Sequence, residues 1–443
     1  MAIFSKTARE TWLKFGQKLP STGLCLSTTV LPPEIWLYVF ALASYIPGAF
    51  DTRCPNAITA FTRDPYGICV HNRFRCVMNT KLALSCVCRC WNVLARQVLF
   101  QYIIIRSGKH ALAIADALKD CAGSSKLGLL TIRLEIALEG VHIWTEEHTC
   151  AVLRIFEACP NLVCFSTAFS TADPSVFQST RLINALRFHQ VLKRVELKTD
   201  AEIMEALAVS LPSIQVLWLW PCRRQDTAVV QRTLTFPNLH TLISEYEGGT
   251  YMRGLTLPAL RAIRIPHELH VPSLHVEDVA FLDVRNLSRI LPTIHRWANL
   301  KTMTIRYFEL LNDVYPWSEC IPNTSVECII IEWLQSDKSI SRMMHWTIGD
   351  PNPSEGMLEV LPTNLSQLIS TFLGLRSLRF SIPCQIADSI FQGEDFDRIW
   401  EKWLEKCDAL MIVLEVSQGS EEISADEYRV VDPRSLHRKL VCD

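Results

Sequence analysis

The feature that most constrains this chain is a recurring apolar pattern of the form L-x-x-L-x-L. It stands at Leu192/Val195/Leu197, Ile214/Leu217/Leu219, Leu260/Ile263/Ile265, Leu300/Met303/Ile305 and Leu375/Leu378/Phe380, with looser copies opening at Leu162 and Leu239. From Leu162 to Leu260 the leading residues return every ~20 to 30 positions, a period typical of repeat architectures. The longer gaps after Leu260 and Leu300 read as inserted or degraded copies. Pro160, Pro212, Pro237, Pro258 and Pro272 each stand two residues before a leading apolar residue. Proline stops a helix and sets the chain extended, so each copy reads as a helix stop followed by a short strand. Helices are expected between strands over residues 147–159, 201–211 and 286–297.

A short strand and a helix per unit resemble the leucine-rich repeat. That resemblance implies a parallel-sheet horseshoe in which alternate strand residues fill the interior and the intervening ones form an exposed sheet surface. Such repeats carry Asn or Cys three positions after the last leucine. Cys222, after Leu219, fits; Asp200, Glu268, Phe308 and Pro383 occupy the equivalent places. Trp218 and Trp220 flank Leu219 and would project from the opposite face of their strand. With Arg223 and Arg224 they form the candidate substrate-binding set, since Trp and Arg dominate binding hot spots. A globular α/β domain with leucine-rich strands is the competing reading. Residues 393–405 read as an acidic amphipathic helix and 410–416 as a strand, together capping the last repeat.

A different texture precedes the repeats. Leu31-Pro32-Pro33-Glu34-Ile35-Trp36-Leu37-Tyr38-Val39-Phe40 opens a helix, its prolines where a missing N–H costs nothing and its Glu34 at the positive end. Ile35, Val39 and Leu42 share one face, with Trp36 and Phe40 beside them at i, i+4. Further on, Leu84, Val87, Cys88, Trp91, Leu94, Ala95 and Val98 make a second helical stripe.

These two pieces resemble the F-box, the module that docks a Skp-type adaptor in Skp–cullin–F-box ubiquitin ligases. Leu31, Pro32, Glu34, Ile35, Val39 and Phe40 match its L-P-x-E-[IL]-x-x-x-[IV]-[FL] opening. Val87, Cys88, Arg89 and Trp91 match its V-C-[RK]-x-W close. The resemblance implies that Leu31, Pro32, Ile35, Val39, Phe40, Val87, Cys88 and Trp91 hold the adaptor. It departs from the compact family pattern in the inserted loop 47–78, which is expected to bulge outward.

Composition narrows the function classes. The 443 residues carry 44 Lys+Arg against 46 Asp+Glu, a net charge of −2, so no basic field exists to hold nucleic acid. The apolar run from Ile35 to Phe50 is interrupted by Pro47 and too short to cross a bilayer. Seventeen scattered cysteines, without C-x-x-C pairs or a secretory leader, read as buried hydrophobes in a reducing compartment, cytoplasmic or nuclear. The N-x-S sequons at Asn286, Asn323 and Asn364 are then chance matches. No phosphate-binding loop or nucleophile elbow occurs, and His267-Glu268-Leu269-His270 has the wrong spacing for a helical zinc pair. No catalytic, cofactor or metal residues are therefore expected, and the chain reads as a non-enzyme.

The expected fold class is α+β or α/β. An arm over 1–30 precedes a small helical F-box-like module over 31–105. An irregular leucine-rich-repeat-like β/α solenoid over 106–416 and a polar tail over 417–443 follow. The expected function is substrate recognition for a ubiquitin ligase, with cullin and RING subunits reached through the adaptor and a target protein held by the repeats. The alternative is a repeat scaffold for protein contacts with no ligase role.

Overall fold

A computed structural model describes residues 31–46, 48–52, 68–120, 127–138, 144–167, 184–199, 201–221, 233–244, 255–265, 276–284, 287–306, 320–332, 364, 366–383, 405 and 407–419. The chain divides into two compact units, residues 1–50 with 66–214, and residues 51–65 with 215–443.

The first unit opens with three helices, α1 (Pro33–Ala43), α2 (Ile68–Val87) and α3 (Arg89–Leu99). α1 starts at the prolines, with Glu34 in its first turn. It ends where Ser44 turns its hydroxyl back onto the Phe40 carbonyl at 2.6 Å. Four parallel strands follow: β1 (Tyr102–Ile105), β2 (Arg133–Ile136), β3 (Cys164–Ser166) and β4 (Arg194–Thr199). Each pairs with the next in chain order. Helices α4 (Gly108–Asp120), α5 (Glu146–Ala158) and α6 (Ala201–Ser210) belong to the same unit. α5 lays Phe156 edge-on against Phe165 of β3, with ring centroids 5.2 Å apart.

The second unit continues in the same style. Its strands are β5 (Val216–Pro221), β6 (Leu234–Thr235), β7 (Thr241–Ser244), β8 (Leu255–Thr256), β9 (Ala262–Ile265) and β10 (Phe281–Val284). They are followed by β11 (Thr302–Arg306), β12 (Cys328–Glu332), β13 (Ser377–Pro383) and β14 (Val413–Gly419). β6 and β8 pair with each other, and the rest form one sheet in the order β5-β7-β9-β10-β11-β12-β13-β14. Every registered pair in it is parallel. Helices plus a large parallel sheet, with a helical module at the front, are thus the architecture.

The long gaps in the sequence pattern are filled in part. Val279/Leu282/Val284 builds β10 and Val326/Ile329/Ile331 builds β12, while Thr131/Leu134/Ile136 builds β2. Valine or threonine replaces leucine at the leading position, and all three leading residues are buried. The helix expected over 286–297 is instead a four-residue α7 (Leu287–Ile290) and a 3-10 segment, Leu291–Arg296. Pro292 accounts for the change, because a proline inside an α-helix removes a hydrogen bond and clashes with the preceding turn. β14 runs to Gly419, into the stretch read as tail. The expected helix falls, through 404, outside the described residues, as do the arm 1–30 and residues 420–443.

One expectation fails clearly: the intervening strand residues do not form an exposed surface. All four residues of β1, β2, β7, β9 and β10 are buried on both faces. Trp218 is 0% exposed, and Arg264, Asp283 and Thr304 are buried as well. Runs buried on both sides are what a covered parallel sheet produces.

Candidate docking surface

The helical module is held together by an aromatic knot. Trp36 and Phe40, one turn apart on α1, both meet Trp91 of α3, with centroids 4.7 and 5.0 Å away. Phe40 is buried with Leu94, Ala95 and Val98, and Leu37, Leu84 and Trp91 pack against that cluster. Burying aromatics this way contributes through area and through tilted ring geometry. The sequence stripe therefore sorts into two faces. Trp36, Leu37 and Phe40 turn inward, while Leu31, Ile35, Val39 and Leu42 turn outward.

The outward set is the candidate site. Leu31 and Val39 are each 41% exposed and Ile35 45%, and on α2 the terminal Val87 is 60% exposed. Pro32 is exposed beside them and caps α1. Of the eight residues expected to hold a partner, these five lie at the surface. Phe40 and Trp91 lie beneath, as supports.

Cys88 has a different task. It breaks the chain between α2 and α3 in an extended conformation, and its Sγ accepts the Trp91 N–H at 3.4 Å. That is N-capping by sulfur, an orphan donor satisfied at a helix start. Asn92 adds a bond from its side-chain amide to the Ser85 carbonyl, 2.8 Å away, fastening the end of α2 to α3. On α2, the ammonium of Lys81 donates to the Val98 carbonyl at the end of α3, 2.7 Å away. Burial pushes the Lys81 pKa down to about 8.

The insertion does not simply bulge. Its last residues form the first half of α2, where Phe74 meets Tyr102 of β1 edge-on at 4.8 Å. Its first described residues, Gly48 and Ala49, are buried against the strands. There lies a cluster that the sequence reading missed. Arg133 grips Glu196 with two bonds of 2.9 and 2.7 Å and also reaches Glu135 at 3.2 Å. Arg194 donates to Glu196 at 2.6 Å, and the Tyr102 hydroxyl donates to Glu135 at 2.5 Å. Burial alone would raise the Glu196 pKa, but Arg133 and Arg194 outweigh it and hold it at about 2. The signal was a repeated R-x-E, Arg133-Leu134-Glu135 and Arg194-Val195-Glu196. Alternation with apolar residues made it look like a solvated face.

Of the proposed substrate-binding residues, the two described ones do not lie at an open surface. Trp218 is buried, Trp220 is half-buried with its ring 5.4 Å from that of Trp218, and Arg223 and Arg224 lie outside the described residues. Of the tandem indoles, Trp218 belongs to the interior.

Among the described residues no helix is long and apolar enough to cross a membrane, and no group of His, Cys, Asp and Glu could hold a metal ion. Compared with protein-family models and with curated proteins, the chain matches none.

Proposed function

We propose that the chain is the substrate-recognition subunit of a Skp–cullin–F-box-type ubiquitin ligase, with no bond chemistry of its own. The observation that carries this reading is the exposed apolar row Leu31, Ile35, Val39 with Val87 near the α2–α3 junction, underpinned by the Trp36–Phe40–Trp91 knot. Large apolar side chains left outside on one face of α1, while Trp36, Leu37 and Phe40 turn inward on the other, favour a surface that a protein covers. An adaptor would bury them. Cullin and RING subunits would follow through it, and the strand region would bring a target protein near the conjugating enzyme, raising the effective concentration of its lysines.

The leucine-rich-repeat reading of the strand region belongs to the same proposal. Strands that begin at Val216, Thr241, Ala262, Phe281, Thr302 and Cys328 and neighbour each other in chain order favour stacked repeats. A doubly wound fold would instead reverse its strand order at a switch point. Asn323, three residues ahead of the leading Val326 rather than three after a last leucine, ties that turn to the preceding strand–helix segment: its buried amide donates to the Ile294 and Trp297 carbonyls and accepts from Ser325 and Val326. Contacts that tie one segment to the next are what stacking requires.

The test is capture by a purified Skp-type adaptor. Ile35→Asp with Val39→Asp changes only exposed residues, so the fold survives, as checked by circular dichroism. Each substitution is expected to cost about 2 kcal/mol of binding, together more than a hundredfold in affinity. Equal retention of native and doubly substituted chains would refute the assignment.

A further inference from the structure

We propose that residues 48–50 are a strap that locks α1 to the strand face of β2–β4, with Arg133 and Arg194 as its clasps. Arg133 donates to the Ala49 carbonyl and Arg194 to the Gly48 carbonyl, each at 3.2 Å. Both guanidinium groups are fully buried and already neutralised by Glu196 and Glu135. A balanced cluster has no net charge with which to hold an ion. What its remaining donors suit is a neutral peptide carbonyl, and the chain's own backbone supplies two. Phe50 follows by setting its ring 6.1 Å from Tyr102, which also stacks under Arg133.

The strap is shaped for this before it reaches the clasps. Ile46-Pro47-Gly48-Ala49 has the sequence of a type II turn, Ala49 N–H donates to the Ile46 carbonyl at 3.2 Å, and Gly48 has φ of 71°. Only glycine adopts that conformation without strain, so the direction of the Gly48 carbonyl depends on that residue. The turn begins two residues after Ser44, the cap of α1. α1 is thus tethered twice, by its aromatic side chains to α3 and by its trailing backbone to the sheet. Whatever seats on α1 is thereby aimed relative to β2–β4, and the strand face beneath the strap is closed to other peptides.

Hydrogen exchange on the full chain tests the lock with two variants that attack it from opposite sides. Arg194→Met removes one clasp and also leaves Glu196 and Glu135 facing Arg133 alone, so it is expected to loosen β2–β4 as well. Gly48→Val leaves the charges intact and misdirects the strap. In both, amides of residues 42–44, 49 and 50 are expected to exchange roughly tenfold faster or more, and in Gly48→Val β2–β4 keep their protection. Should Arg194→Met disrupt the whole unit, Gly48→Val decides alone. Unchanged exchange at 42–44 in Gly48→Val would mean that the aromatic knot suffices and no lock exists. In Gly48→Val, loss of protection in β2–β4 together with the strap would equally overturn it, since the strap would then be inseparable core.

Discussion

At the scale of single residues, two buried charges carry opposite consequences. Lys81 loses solvation on burial, so its folded pKa of about 8 lies below its ordinary 10.5. Between those values the unfolded chain holds more protons than the folded one, and stability rises with pH. Below pH 8 the full burial cost is present. Lys81→Met should therefore remove a gain of about 2–3 kcal/mol on going from pH 8 to 10.5, read as the difference in α2 and α3 amide protection between native and variant chains. A native chain with no rise over that window would contradict the assignment. Glu196 behaves inversely. Its pKa of about 2 lies below the ordinary 4.5, so its contribution is complete above pH 4.5 and is lost as pH falls through 2. Glu196→Gln leaves Arg133 and Arg194 buried with their main counter-charge gone. The expected cost is about 3–5 kcal/mol, visible as loss of β2–β4 protection at neutral pH.

At the scale of elements, the helical module was the most legible part of the sequence and the strand faces the least. Prolines and Glu34 marked the start of α1 correctly, and the i, i+4 spacing of Trp36 and Phe40 foretold their shared face. Period alone could not say which face turns outward, because both faces of α1 are apolar. The Cys88-Arg89-Cys90-Trp91 signature was legible as a motif but not as a cap, since sulfur rarely stands in for a serine oxygen. Strands formed after the leading residues Leu162, Leu192, Ile214, Leu239, Leu260, Leu300 and Leu375, and were missed at β1 and at Thr131, Val279 and Val326, where Thr or Val fills the buried leading place. The buried R-x-E rows were illegible for a physical reason: their cover is a strap remote in sequence, and local alternation carries no trace of it. The module's dependence on its knot is testable. Trp91→Ala should open a void between α1 and α3 costing about 3–5 kcal/mol, with α1 amides losing more protection than β1–β4. Equal loss in both would place Trp91 in a larger cooperative core.

At the scale of the whole molecule, what matters is that sheet neighbours are also chain neighbours. On the proposed stacked-repeat reading, a disturbance between two strands of the second unit would have to pass through each intervening pair to reach a distant one, the behaviour of a quasi-one-dimensional array. Gly374 offers a clean place to start one. A side-chain carbon there would collide with the Thr324 carbonyl and press on Val326, where the turn before β13 lies against the turn before β12. Both partners are backbone, so neither can swing aside, and Gly374→Ala must wedge the two turns apart. Overpacking of this kind costs roughly 1–3 kcal/mol. If coupling runs mainly between neighbours, amide protection should fall most in β12 and β13, less in β11 and β10, and least in β5 and β7. A uniform fall across β5–β13 would instead describe a single globular core with leucine-rich strands, and would remove the stacked-repeat reading while leaving the docking surface on α1 untouched.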